Sequence, residues 1–302
     1  MTLRVPLQIN RLTHRPPRLG SRMSPEAQAI LHEWSPPIGV NLALAFTALF
    51  YIRGWILLRR TASSPLSNTH LFAFLGGIFA LWIAIASPLA AFDECSLTVH
   101  MIQHLLLMFA APPLLLFGAP VVPFLHGLPQ FFVRTVLGSL FRRAWVQRLG
   151  TFLAHPGVCW FLATVTMIAW HIPSAFELAL RSDAWHEAEH VCFLTTSLLL
   201  WWPVIQPFPS QPRWSPWSIP IYLLLAMFPG SALGAFLAFY DRVLYPSYVT
   251  APQIFSMTPL TDQILAGVLM WVSGIFIFGL PVVLITLRLL SPVSESTRFR
   301  SS

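Results

Sequence analysis

The chain has 302 residues, of which 56% are hydrophobic and only 10% are charged. Soluble domains carry about a quarter of their residues as charges, so the composition excludes an ordinary water-soluble fold and predicts a polytopic membrane protein. All 18 basic residues are arginine; they are too sparse for a nucleic-acid surface and are read instead as topology signals. Cys95, Cys159 and Cys192 lack CxxC spacing and form no disulfide framework.

Residues 1–37 are expected to be an N-terminal tail. Met1 to Met23 is polar and rich in Arg and Pro, without the apolar core of a cleavable signal peptide. It is read as a tail without fixed structure or as sequence upstream of a true start at Met23. Trp34 and Pro36 mark the membrane interface. Apolar stretches long enough to cross the hydrocarbon core, about 20 residues each, then number seven within a single domain, 38–290. They are predicted from Ile38 to Leu58, His70 to Ser87, Ser96 to Phe117, Thr151 to His171, Trp185 to Ile205, Trp217 to Phe239 and Thr261 to Leu287. Between the third and fourth, Phe131 to Leu149 is amphipathic and carries Arg134, Arg142, Arg143 and Arg148. That pattern predicts a segment lying along the membrane surface. Small residues at Gly76-Gly77, Gly230-Ser231, Gly234 and Ser273-Gly274 suit close helix contacts. The expected fold is all-α.

Seven spans place the termini on opposite sides. Arg59, Arg60, Arg134, Arg142, Arg143, Arg148, Arg213, Arg288, Arg298 and Arg300 fall on one side, while the opposite loops hold only Arg181 and Arg242. Arginine is retained in the cytoplasm, so the N-terminus is expected outside and the C-terminal tail, 291–302, inside. The five arginines of the N-terminal tail oppose this unless Met23 is the start.

The orientation gives the histidines a pattern. His100 and His104 open the third span in the run VHMIQHLLLMFAAPP, four apart, so both imidazoles point the same way. His171 closes the fourth span, and His186 and His190 open the fifth in WHEAEH. Five of the ten histidines therefore share one depth on three consecutive helices, where polar groups entering a bilayer usually mark a site. The plainer alternative is a belt of unconnected histidines snorkelling at the interface. Asp93, Glu94, Cys95, Glu177, Glu189, Asp241 and Asp262 lie near the same face.

Imidazole suits copper, zinc and iron, whereas thioether and thiolate select cuprous copper. Five imidazoles with Met101, Met108 and Cys95 nearby make a copper site. Spacing alone leaves open a b-type haem with two axial histidines. His186-Glu187-Ala188-Glu189-His190 also fits HExxH, the zinc-protease pattern with a glutamate as general base. No neighbouring span supplies an evident third ligand for it. A retinal Schiff-base pigment is excluded, because the chain has no lysine.

Four runs, HMIQHLLLMFAAPPLLLFGAP, WHIPSAFELAL, WHEAEHVCFLTTSLLLWWPV and DQILAGVLMWVSG, together with HEWSPP before the first span, resemble the CtaG-type family of cytochrome c oxidase assembly factors. The likeness covers nearly the whole chain from about His32, and a more distant one extends to copper-resistance proteins of the CopD type. The resemblance implies a multi-pass protein of the bacterial plasma membrane that is not an enzyme. It implies a role in building a haem–copper oxidase through copper delivery, with oxidase subunits and other copper chaperones as partners. His100, His104, His171, His186 and His190 match the family's histidines, and Asp262 and Gln263 its aspartate–glutamine pair. Met108, Cys95 and Asp262 stand as weaker candidate ligands. Asp262 is expected either to pair with a histidine or Arg242 or to cap the seventh helix. Glu187 lies outside the family pattern.

Overall fold

The computed structural model describes residues 25–60, 66–210, 214–252 and 257–291. The expectations for residues 1–24, Arg213 and 292–302 lie outside the described residues. Among the described residues every regular element is helical. A short helix, Pro25–Glu33, precedes the first long one. The long helices are α1 (Ile38–Arg59), α2 (Asn68–Ala86), α3 (Leu97–Phe117), α4 (Pro156–His171), α5 (Asp183–Ile205), α6 (Ser218–Phe239) and α7 (Pro259–Leu290). These match the seven predicted stretches with end shifts of a few residues, except at the fourth.

The predicted Thr151 to His171 span is not one straight helix. Thr151 to Leu153 belong to the preceding helix, Ala144–Leu153, which meets α4 at a bend of 72°. The cause is local. Pro156 disfavours α conformation at His155, whose φ of −72° and ψ of 125° are extended and whose Nδ1 accepts from the Gly157 amide at 3.2 Å. Among the described residues, six helices are thus long and apolar enough to cross a membrane, and the bent pair makes up to seven when its two helices are taken as one span. Helices Gln130–Phe141 and Ala144–Leu153 expose Phe131, Phe141, Trp145 and Phe152 alongside Arg134, Arg142, Arg143 and Arg148.

Pro112 and Pro113 fall inside α3, where their missing amide hydrogens would have been donated to the carbonyls of Met108 and Phe109. The helix answers with one π-helical turn, Leu106–Ala110. The freed Met108 carbonyl accepts from the Trp201 indole of α5 at 3.1 Å. A buried carbonyl in an apolar bundle must find a donor, so a sequence irregularity in α3 becomes a tie to α5.

The helices approach most closely at glycines. A Cβ on Gly267 of α7 would stand 2.5 Å from the Ala238 nitrogen and 2.7 Å from the Gly234 oxygen of α6. On the other side of the bundle, Gly54 of α1 and Gly127 of the short helix Val121–Gly127 face the carbonyls of Pro123 and Phe50, leaving no room for a methyl. Of the small residues singled out by sequence, Gly77 and Gly234 make contacts of this kind, whereas Gly76, Gly230 and Gly274 sit at ordinary van der Waals range.

Gly267→Val is therefore expected to force α6 and α7 apart. Overpacking costs roughly 1–3 kcal/mol, and the protein's melting temperature in detergent should fall by several degrees. Gly279→Ala on the same helix meets nothing within 4 Å and should melt at or above the wild-type temperature, because alanine is the better helix former.

Candidate metal centre

Residues before the first turn of α3 set the site. Ser96 is the N-cap, and its hydroxyl accepts from the Val99 amide at 3.4 Å. The Asp262 carboxylate, arriving from α7, accepts from Ser96 Oγ at 3.0 Å, the Leu97 amide at 2.7 Å and the Thr98 amide at 3.2 Å. A carboxylate at a helix N-terminus satisfies otherwise orphaned amides and complements the helix dipole. Asp262 thus caps α3 rather than its own helix, where Thr258 takes that role by accepting from the Thr261 amide at 3.2 Å. Its neighbour Gln263 accepts from the Leu244 amide at 2.7 Å and donates to the Arg242 carbonyl at 3.0 Å, fixing the loop after α6.

From this anchor, His100 and His104 project into the bundle, 0% and 3% exposed. On α5, the spacing of His186, Glu189 and His190 puts all three on one stripe. Glu189 is fully buried, while Glu187 is exposed. His171 ends α4. Its Nδ1–H donates to the Met167 carbonyl at 2.7 Å, and its own carbonyl accepts from Tyr245 Oη at 3.0 Å. Because a carbonyl can only accept, Nδ1 carries the proton and Nε2 keeps its lone pair, the arrangement a metal ligand needs.

These side chains converge. His104 Nε2 lies 3.6 Å from Glu189 Oε1, and His100 Nε2 lies 3.8 Å from Glu189 Oε2. Ring centroids are 4.3 Å apart for His100 and His104, 4.2 Å for His186 and His190, 5.2 Å for His100 and His186, 5.9 Å for His104 and His190 and 6.0 Å for His104 and His171. His186 Nε2 approaches Asp93 Oδ2 to 3.8 Å. Burial raises the Asp93 carboxyl to about 6, with His100 opposing the rise. Gln103 donates to the Ala84 carbonyl at 2.9 Å, tying α3 to α2 behind the cluster.

Distances of 3.6–3.8 Å are too long for hydrogen bonds. Two donors bound to one ion at about 2.0–2.2 Å each stand up to roughly 4 Å apart. One ligand atom from each of His100, His104 and Glu189 lies within 4.8 Å of the others. Among the described residues, twelve buried side-chain polar atoms lack a hydrogen-bond partner, and nine of them belong to His100, His104, His171, His186, Glu189 and His190. Each such atom costs free energy in an apolar interior. Histidines outside the cluster differ: half-buried His70 accepts from the Ser67 amide at 3.1 Å, exposed His155 caps α4, and exposed His126 Nδ1 bonds the Val122 carbonyl at 2.9 Å.

The structure thus gathers the five sequence-predicted histidines into one cluster, sets Asp262 and Cys95 apart from it and leaves Met108 at its lower edge. Both Asp262 oxygens are engaged by the α3 N-terminus. Cys95 lines a separate groove with Trp34 and Leu180, its thiol pushed up by burial and then by Glu94 and Asp93. Met108 lies one turn below His104 against Met167 and Phe193. The residue that sequence reasoning left out of the ligand set is Glu189. Its signal was available in the helical stripe that it shares with His186 and His190, but HExxH directs attention to Glu187.

A multi-pass helical bundle with a buried histidine–carboxylate cluster defines the class. The chain belongs to the cytochrome c oxidase caa3 assembly factor family, which it matches over residues 49–291. Among curated proteins it is 28% identical to uncharacterized proteins of Mycobacterium bovis and Mycobacterium tuberculosis, over 91% of this chain and 41% of each relative. An uncharacterized protein of Mycobacterium leprae is 26% identical over 80% of this chain and 36% of that protein. The chain therefore spans about two fifths of the length of the curated relatives it matches. No solved structure matches it.

Removing the α3 cap should loosen the site from a distance. Asp262→Ala is expected to cost about 1.5–3 kcal/mol, the range for hydrogen bonds to a charged group. Asp262→Asn, which keeps one accepting oxygen, should cost less. Thermal unfolding of the two variants in detergent checks the order.

Proposed function

We propose that this protein assists the assembly of a haem–copper cytochrome c oxidase by holding copper at the His100, His104 and Glu189 group, with His171, His186 and His190 around it, and passing it to the oxidase. The observation that carries this reading is the concentration of unpartnered, buried imidazole and carboxylate atoms at one point of a membrane bundle. Copper is cargo here. The donor set fits it, since imidazole is a good ligand for copper and Glu189 offsets its charge. The arginine pattern supports a bacterial plasma-membrane orientation with this cluster on the outer side.

Two other chemistries find less support. A haem bound between these histidines needs a slot for its macrocycle, and pockets for organic ligands run to about 300–1,000 Å³. The cavity bordering His104 and His171 measures about 20 Å³. Zinc-protease chemistry needs the HExxH glutamate at the metal, and Glu187 is exposed while Glu189 faces the histidines. The protein is read as a carrier, not a catalyst.

The test is metal analysis with a visible spectrum on purified wild type, His100→Ala/His104→Ala and Glu187→Gln. Near-stoichiometric copper in wild type and in Glu187→Gln, lost in the double variant together with oxidase activity of the host membranes, is the expected result. Oxidase assembly that survives the double variant overturns the proposal. A Soret band redirects it to haem.

A further inference from the structure

Directly below the histidine cluster, α3, α4, α6 and α7 enclose a cavity of about 20 Å³ lined by Met101, Met108, Met167, Met227 and Met270, with His104 and His171 at its rim. Six methionines follow Met23 in the sequence, and five of them meet here from four helices. Methionine often fills gaps in a core because it is flexible, yet a gap-filling role would not bring nearly every methionine to one void. The volume suits a single water-sized species. Met167 Sδ lies 3.6 Å from where a side chain on Gly230 would begin. His104 and His171, both at least nine-tenths buried, each present an unpartnered Nε2. The upper donors are imidazole and carboxylate; the lower ones are thioethers, which select soft cations.

We infer that this cavity is a second binding site, a thioether site for monovalent copper continuous with the histidine cluster through His104 and His171. The inference rests on the copper reading above and extends it. The cluster offers nitrogen and oxygen to the ion at the outer end of α3, while Met108 and Met167 offer sulfur one turn deeper than His104 and His171, and Met101, Met227 and Met270 complete the wall. Thioethers remain neutral ligands at any pH, so the deeper site takes Cu(I) without competing protons and without adding buried charge of its own.

The experiment uses full-length protein in detergent, selenomethionine-labelled, loaded with Cu(I) under reducing conditions and with Zn(II) separately. Cu(I) affinity is measured against a chromogenic chelator, and X-ray absorption reads selenium neighbours of copper. The variants are Met108→Leu/Met167→Leu/Met270→Leu, whose volume-conserving swaps keep the packing, and His186→Ala/His190→Ala. Wild type and the histidine variant are expected to show copper–selenium scattering. The leucine variant, which keeps only Met101 and Met227, should show that scattering strongly reduced, with Cu(I) affinity lowered by roughly tenfold or more while Zn(II) binding and the melting temperature stay unchanged. Cu(I) bound with nitrogen neighbours alone, or unaltered affinity in the leucine variant, overturns the thioether site and leaves the histidine site standing. Absence of binding of either metal to wild type overturns both.

Discussion

Polar atoms buried in an apolar bundle must be satisfied, and that constraint organises this molecule. Tyr51 at the centre of α1 donates to the Gly118 carbonyl at 2.7 Å. Trp201 takes the carbonyl that Pro112 leaves free. Tyr248 donates to the Asp93 carbonyl at 3.0 Å, and Tyr245 to that of His171. Each of these bonds joins elements far apart in sequence. In a low-dielectric interior the cost of leaving such a group unmade exceeds the net gain from making it, so they specify the arrangement of helices as much as they stabilise it. Against this background the unpartnered cluster on α3, α4 and α5 stands out as the place where the rule is set aside.

The support around that cluster is more ordinary than the cluster itself. Asp262 and Gln263, adjacent on α7, divide the work: one carboxylate fixes the start of α3, one carboxamide fixes the loop leaving α6. Glu177 does the same for the loop ahead of α7 by accepting from the Ser247 amide at 3.0 Å and from its hydroxyl. These contacts close the end of the bundle that holds the histidines. The α6–α7 glycine contact closes it along its length, because side chains of ordinary size at Gly234 or Gly267 would hold those helices apart. A site assembled from several helices needs this second layer to keep its ligands in register.

Most of the fold was legible in the sequence, since apolar stretches of about 20 residues are a direct physical requirement for crossing a bilayer. The ends of α1, α3, α5 and α6 fell within two residues of expectation. The fourth span was misread because apolarity continues through Thr151 to Leu153 while the backbone turns at His155; hydropathy does not register a bend. At the site, the HxxxH pairs were legible because i,i+4 spacing is local. The role of Asp262 was not, because its partners lie 164 to 166 residues away in sequence. The methionine cavity was illegible for the same reason. Met167, Met227 and Met270 are unremarkable in their own helices and join Met101 and Met108 only when four helices meet.

On the proposed reading, the two halves of the site differ in a way that follows from their donors. Imidazole and carboxylate bind an ion whose charge they can match, and they do so where Asp93, Glu94 and the outer loops bring polar surface close to the cluster. Thioethers bind a soft ion without neutralising it, in a void walled by Phe109 and Phe278. An ion held between them trades a harder shell for a softer one through His104 and His171, which border both. A carrier must bind firmly and still let go. Drawing the upper ligands from α3, α4 and α5 makes binding depend on how three helices pack, so on this reading a shift of any one of them would weaken the hold on the ion.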